Sequence, residues 1–454
     1  MPAARSLSRS PLWPVVERHL DELEATLEAW HDGLDAPDFN LGGLAELLES
    51  RVELHLDGLR VAGPAALEPV IWPMFFSMFE TADESRAAAA SLAVLTLAPT
   101  SAWGPLLDAL GGNDDALTSG VTRALCLAQP AGLDGWLQTQ IAAPESEAQP
   151  HRLAGLVRAL ADRGGSPREL TTLLTRPEPE LLGAAAYAAR HARDPASAHA
   201  LAALLDHQDP RVRAEAIESG LIRQQRSAWA AAQAMAFEQH DPSTRRRALT
   251  WVAAIGDIEL HERLLARLGA CGDALELADL LWAASVCGRP AAVDLALAHL
   301  GDAKLGPLAG EVICAITGLT GEEEQLWQDR PLAEDGLPPL ALDDLDADLT
   351  LSSDDLLPMP EPVALAQWWT QRRADLLSAP RLLAGQPWSS SNLLEQLRHG
   401  PLRRNHALGL ELAVRSAGLA QVNTRTWVAQ QVRALGATSS DTITLVRGLG
   451  VQDG

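Results

Sequence analysis

Three histidines, His191, His199 and His207, stand eight residues apart. Evenly spaced imidazoles are one way a chain holds a transition metal. Eight residues turn a helix through roughly 800°, which leaves successive rings about 80° off a common face. Pro195 also interrupts the first interval. The spacing therefore reads as surface histidines, with no metal. Cys287 and His299 raise a second possibility, a thiol nucleophile with an imidazole base. The turn "CGRP" at 287–290 separates them, and no third, orienting residue is evident. Asp344, Asp346 and Asp348 have the alternation of a calcium loop. Leu349 stands where such a loop needs glycine, and Asp355 where it needs glutamate. There is no P-loop, dinucleotide fingerprint, nucleophile elbow or H-E-x-x-H motif. The expectation is a protein that binds and does not catalyse, with no cofactor and no catalytic residues.

Thirteen tryptophans invite a binding reading. Trp103, Trp136, Trp229, Trp251 and Trp282 sit at apolar spacing within helical stretches and are expected in the core. Trp368, Trp369 and Trp388 lie beyond the regular stretches, so they are the expected contacts to a partner or between segments.

What positions these residues is a repeat. Glu178, Asp209, Asp241 and Asp273 stand 31, 32 and 32 residues apart, and Asp83 and Asp114 are again 31 apart. Proline follows the acid in the first three units of the later run. An acid that can accept from free N–H groups, then proline, then an apolar run, is a helix start. Seven positions after each acid come Ala90, Val121, Ala185, Ala216, Ala248 and Leu280, back on the same face two turns on. Asp114 and Glu178 are two periods apart, and "QPHRLAGLVRALADRGG" is the expected middle unit with a slipped start. Each period holds two helices; in the Asp209 unit the first is roughly 210–224 and the second roughly 227–239. Strand signals are nearly absent. The fold expected is all-α, an α-solenoid of short helix-pair repeats.

The sequence divides into an N-terminal helical cap (1–62), the repeats (63–330), an acidic linker (331–361) and a helical C-terminal segment (362–454). The cap reads as two amphipathic helices, 11–34 and 41–62. Leu332 to Glu361 carry nine acids, four prolines and no Lys or Arg, which reads as a linker or a strap. In the C-terminal segment Ser391 or Asn392 is the expected cap of a helix.

Lys and Arg number 36 against 60 Asp and Glu, a formal charge of −24. Such a surface repels phosphate backbones and suits a basic protein partner, so nucleic acid is not expected. Cys126, Cys271, Cys287 and Cys314 form no C-x-x-C and read as small residues of a reducing compartment. The longest apolar stretch, "AAAASLAVLTLAP", is too short to span a bilayer. A cytoplasmic protein with no membrane partner is expected.

The D-P-x-V-R-x-x-A pattern of Asp209, Arg213, Asp241 and Arg245 resembles HEAT repeats in a short bacterial form. That resemblance implies a polar Asp–Arg ladder along the stack. Three further passages, "LESRVELHLDGLRVAGPAALE", "PEPVALAQWWTQRR" and "NHALGLELAVRSAG", resemble a proteobacterial HEAT-repeat family of unknown function. Members of that family are often encoded beside type VI secretion components. The resemblance implies a non-enzymatic scaffold or adaptor that handles an effector or spike-tip protein. An immunity protein that blocks a basic toxin is the alternative, and a bilin-lyase-like enzyme, also built from short repeats, is a third.

Overall fold

The computed structural model describes residues 11–112, 114–238, 241–321, 323–329, 352–377, 379–440 and 443. The fold is all-α and built of helix-pair repeats. The strands among the described residues are two short pairs, Trp327–Gln328 with Met359–Pro360 and Leu382–Leu383 with Gln386–Pro387.

Two compact units divide the chain. One comprises residues up to Leu34, Gly42–Ser219 and Arg425–Gln431; the other comprises Asp35–Leu41, Gly220–Thr424 and residues from Val432 on. In the first unit the leading helices of successive repeats are Glu84–Leu97, Asp115–Leu127, Pro150–Asp162 and Pro179–Ala188, each packed on the next. In the second they are Pro242–Ile255, Ala274–Cys287 and Gly306–Thr317, again packed in order. The helix Pro150–Asp162 supplies the middle unit of the period, starting at proline without a side-chain cap.

The residues seven positions after each acid explain why the helices stack so closely. Ala90, Val121, Ala185, Ala216, Ala248 and Leu280 are all fully buried. Mostly small side chains at this position let neighbouring helices approach. The acids work as caps. Asp83, Asp114, Asp241 and Asp273 accept from the N–H groups of Arg86, Leu117, Ser243 and Glu276. Asp209 accepts from the N–H of Arg211 at 2.8 Å and Val212 at 3.2 Å. Glu178 does not cap; its carboxylate is taken by Arg176. The longer side chain reaches the nearby guanidinium instead of folding back on its own helix. Asp209→Ala and Asp241→Ala should each lower the unfolding free energy by about 0.5–2 kcal/mol, measured by urea denaturation; wild-type midpoints for both would refute the capping role.

The N-terminal helices are Trp13–Gly33 and the run from Leu41 to Ala62, which contains a π-turn at Ala45–Glu49. Leu20, Leu23, Leu27 and Trp30 bury one face of the first against the second and against Glu84–Leu97. Residues Arg425–Gln431 also belong to this unit. Trp427 packs on Trp30 with ring centroids 4.9 Å apart, and its Nε1–H donates to the Leu127 carbonyl at 2.8 Å. Glu49 accepts from both Trp30 Nε1 and the Val428 N–H.

Residues 330–351, which hold most of the acidic stretch and the Asp344, Asp346, Asp348 spacing, lie outside the described residues. The remainder, 352–361, is not a free linker. Asp354 receives two hydrogen bonds from Arg246, at 2.8 and 2.9 Å, and one from Arg403. Met359–Pro360 pairs with Trp327–Gln328, and Glu361 caps the helix Pro362–Leu376. Burial alone would raise the Asp354 carboxyl; the hydrogen bonds and charges of Arg246 and Arg403 hold it down at about 2. The helix that follows Trp388 is Ser390–His399, and its cap is Ser389, ahead of the expected Ser391 or Asn392.

Candidate protein-docking surface

The residues singled out by sequence have mostly structural partners. Trp369 is 1% exposed, and its Nε1–H donates to Asp294 Oδ1 at 2.9 Å. Arg373, one turn on, forks onto the same carboxylate at 3.0 and 2.8 Å. Trp369 therefore fastens its own helix to the repeats, the contact between segments that was one of its two expected roles. Trp368 beside it is half-buried. Trp388 is half-buried under two guanidiniums, with Arg415 4.4 Å and Arg381 5.5 Å from its ring centroid.

The expected Asp–Arg ladder also needs correction. Arg213 donates to the His207 carbonyl at 2.6 Å, and Arg245 pairs with Asp279 at 2.7 Å. Asp279 lies on the next leading helix, but six residues after the capping Asp273. Repeats are joined by polar side chains, with Arg245 at a position the motif marks and its partner Asp279 at one it does not. In the first unit Tyr187 donates to Asp162 at 2.5 Å, and Cys126 donates to the same carboxylate at 3.4 Å. Arg158 and Arg190 lie over the Tyr187 ring at 3.5 and 3.6 Å, and Arg190 continues to Glu218 at 2.9 Å.

In the second unit the leading helices end against the C-terminal segment. The Leu382 N–H donates to the Gly288 carbonyl at 2.8 Å; those of Ala384 and Gly385 donate to Ala315 and Ile316, both at 2.9 Å. Arg381 adds bonds to the carbonyls of Val286 and Cys287, and Arg415 one to Ala254. Helix C-termini leave carbonyls without intrahelical donors, and these arginines supply them. The approach is so close that a Cβ at Gly288, where φ is +69°, would stand 2.3 Å from the Leu382 oxygen. Glu411, with no exposure, accepts from Arg381 at 2.6 and 3.0 Å and from Arg415 at 2.7 Å. This end of the repeats is covered by the chain itself.

The nucleophile and metal expectations can be placed as well. Cys287 is buried, its Sγ–H facing the Ala284 carbonyl at 3.2 Å, and burial pushes the thiol up to about 11. Burial likewise pushes Cys314 up to about 12. Neither is a thiolate near neutral pH. Among the described residues no three His, Cys, Asp or Glu side chains gather as a metal-binding group, and no helix is long and apolar enough to cross a membrane.

A buried histidine, His261, and a half-buried one, His191, give the chain an acid sensitivity. Burial, then the charge of Arg381, pushes His261 down to about 4; burial, then Arg190, does the same to His191. In the unfolded chain each takes up its proton near pH 6.5. Between about pH 6.5 and 4 the unfolded state thus binds protons that the folded state refuses, and stability falls as pH falls. His261 Nε2–H donates to the Ala253 carbonyl at 2.9 Å, a bond that glutamine can replace. His261→Gln should flatten this part of the stability–pH curve by on the order of 2 kcal/mol. An unchanged slope would show that His261 titrates alike in both states.

Among the described residues, several large apolar side chains are exposed near the N-terminal end of the first unit. On the Ser50–Ala62 helix, Leu54 and Val61 stand seven residues apart and are 61% and 90% exposed; Leu47, seven before Leu54, is 52% exposed. The helix Trp72–Thr81 buries Phe75 and Met78 but leaves Phe76 and Phe79 53% and 44% exposed. Its rings brace one another: Trp72 stacks on Phe76 at 5.9 Å, and Phe75 meets Phe79 edge-on at 6.1 Å. Both helices pack on Glu84–Leu97, the first leading helix. Between residues 46 and 80 the exposed carboxylates are Glu46, Glu53, Asp57, Glu68 and Glu80, against the exposed guanidiniums Arg51 and Arg60. Arg60 is bound to Glu53 and Asp57. Both helices thus expose apolar side chains in acidic surroundings. Sequence reasoning passed them over, although three of the chain's five phenylalanines fall in Phe75–Phe79, on more sides of the helix than one core can bury.

No protein-family model matches the chain, and no curated protein matches it. Among solved structures, human deoxyhypusine hydroxylase in complex with glycerol is similar at 16% identity over 66% of this chain and 96% of that one, with a TM-score of 0.24. An overlap of that quality bears on neither fold nor function here.

Proposed function

We propose that the chain is a non-enzymatic protein-binding adaptor, and that it docks its partner on the exposed face carrying Leu54, Val61, Phe76 and Phe79. The observation that supports this reading is the exposure of these large apolar side chains on two helices that pack on Glu84–Leu97. Apolar rings and aliphatic side chains left open there lose free energy unless something is laid over them. The acidic surroundings select a partner whose apolar segment is flanked by Lys or Arg. They disfavour a second copy of this chain, which carries the same −24 charge. The resemblance of the three quoted passages to a type VI-associated family is what supports a role in effector or spike-tip handling. On this reading the aromatic face supplies most of the affinity and the carboxylates accelerate association.

The test is an affinity capture from the native host with wild type and a Leu54→Glu/Phe76→Glu double variant, followed by rate measurements on the purified pair. A partner held by wild type and lost by the variant, with association slowed by salt, is the expected result. Equal capture by both would place the docking surface elsewhere. Turnover of a small molecule by purified protein would overturn the adaptor reading itself.

A further inference from the structure

Two imidazoles meet between the first N-terminal helices. His19, on Trp13–Gly33, and His55, on Ser50–Ala62, approach with their Nδ1 atoms 3.1 Å apart. Their ring centroids are 5.4 Å apart and the ring planes are inclined at 60°. The chain makes room for this pair. Gly58, in the interior of the second helix, lies under the His19 ring, and a Cβ there would come within 2.5 Å of His19 Nε2. Glycine inside a helix costs about 1 kcal/mol relative to alanine, so the ring's seat has a local cost. Both residues are half-buried. Glu22, an exposed carboxylate one turn from His19, acts electrostatically on His55.

Two nitrogens at this separation hold at most one proton between them. They are also placed as neighbouring ligands of a tetrahedral ion should be. With Zn–N bonds of about 2.0–2.1 Å, two ligand nitrogens stand about 3.3 Å apart. Imidazole suits borderline divalent ions, zinc among them. We propose that His19 and His55 form a zinc-binding site that ties the first N-terminal helix to the second, with water completing the ion's shell. Binding needs only small ring rotations and the loss of the shared proton. It would secure the helix that also carries Leu54 and Val61, yet the site stands independently of the docking reading.

The experiment uses the full chain, stripped with a chelator and titrated with zinc alone. Calorimetry should show a zinc ion taken up with a rise in melting temperature, weakening as pH falls and the imidazoles protonate. His19→Gln and His55→Gln should each abolish that uptake while keeping the wild-type helical signal without zinc. Gly58→Ala keeps both histidines but displaces the His19 ring, and should weaken uptake severalfold. Because the chain has 12 histidines, imidazole nitrogen resonances give a second reading that does not depend on how the variants fold. Zinc should move two of them in wild type. No zinc uptake by wild type, uptake undiminished in both glutamine variants, or movement of other imidazoles alone would overturn the site.

Discussion

Glu411→Ala should be among the most damaging single substitutions in the chain, costing about 3–5 kcal/mol. The carboxylate is wholly buried between Arg381 and Arg415. Burial by itself would raise its carboxyl; the two guanidiniums prevail and lower it. Removing it leaves two cations facing each other with their countercharge gone. It also loosens Arg381 and Arg415 from the carbonyls of Val286, Cys287 and Ala254, so the ends of two leading helices lose their donors. Glu411→Gln should cost less, since the amide oxygen still accepts while the charge is lost. The lowered carboxyl contributes stability that is complete above its unfolded-state value near pH 4.3 and is lost as pH falls through the lower folded value. Denaturation at neutral pH tests the substitution. A loss below about 1 kcal/mol, the range of an exposed ion pair, would mean that water reaches the three side chains.

Trp369→Ala should cost a similar about 3–5 kcal/mol, and the loss should appear in folding, not in partner binding. The indole fills a buried site and ties its helix to Asp294 through Nε1. Trp369→Phe separates the two contributions. It keeps most of the apolar volume and drops the hydrogen bond, for a cost of about 1 kcal/mol plus a small cavity. Proteolysis of the Pro362–Leu376 helix should quicken in the alanine variant well before the repeats are cut. If Trp369→Ala folds with wild-type stability and instead loses a partner, the tryptophan belongs to an interface and its burial has been misjudged.

The difference between Trp369 and Phe76 shows what the sequence could reveal. Periodic acids followed by proline, with a small residue seven positions on, specified leading helices correctly because capping and close packing are local demands. Asp209 and Asp241 are caps for that reason. Which residues join one repeat to the next is set by side-chain reach across a stack whose geometry appears only when folded. Asp279, Asp162 and Tyr187 carry no marker in their own helices. Trp369 could be read only as a contact to a partner or between segments, because a tryptophan outside the regular period carries no sign of what covers it; the segment that bears it folds back on the second unit's repeats. Phe76 was missed for the converse reason. An apolar residue on a helix is ordinarily core, and only the structure shows that Phe75 and Met78 already fill the buried side.

Hydrogen exchange on the purified complex tests the adaptor account most directly, because it reports where the partner lies without a prior mutation. The account predicts slowed exchange on binding in 47–62 and 72–81, with 362–376 and 402–415 unchanged. Protection confined to Pro362–Leu376 or to Leu402–Arg415, with the N-terminal helices exchanging as in the free protein, would contradict it.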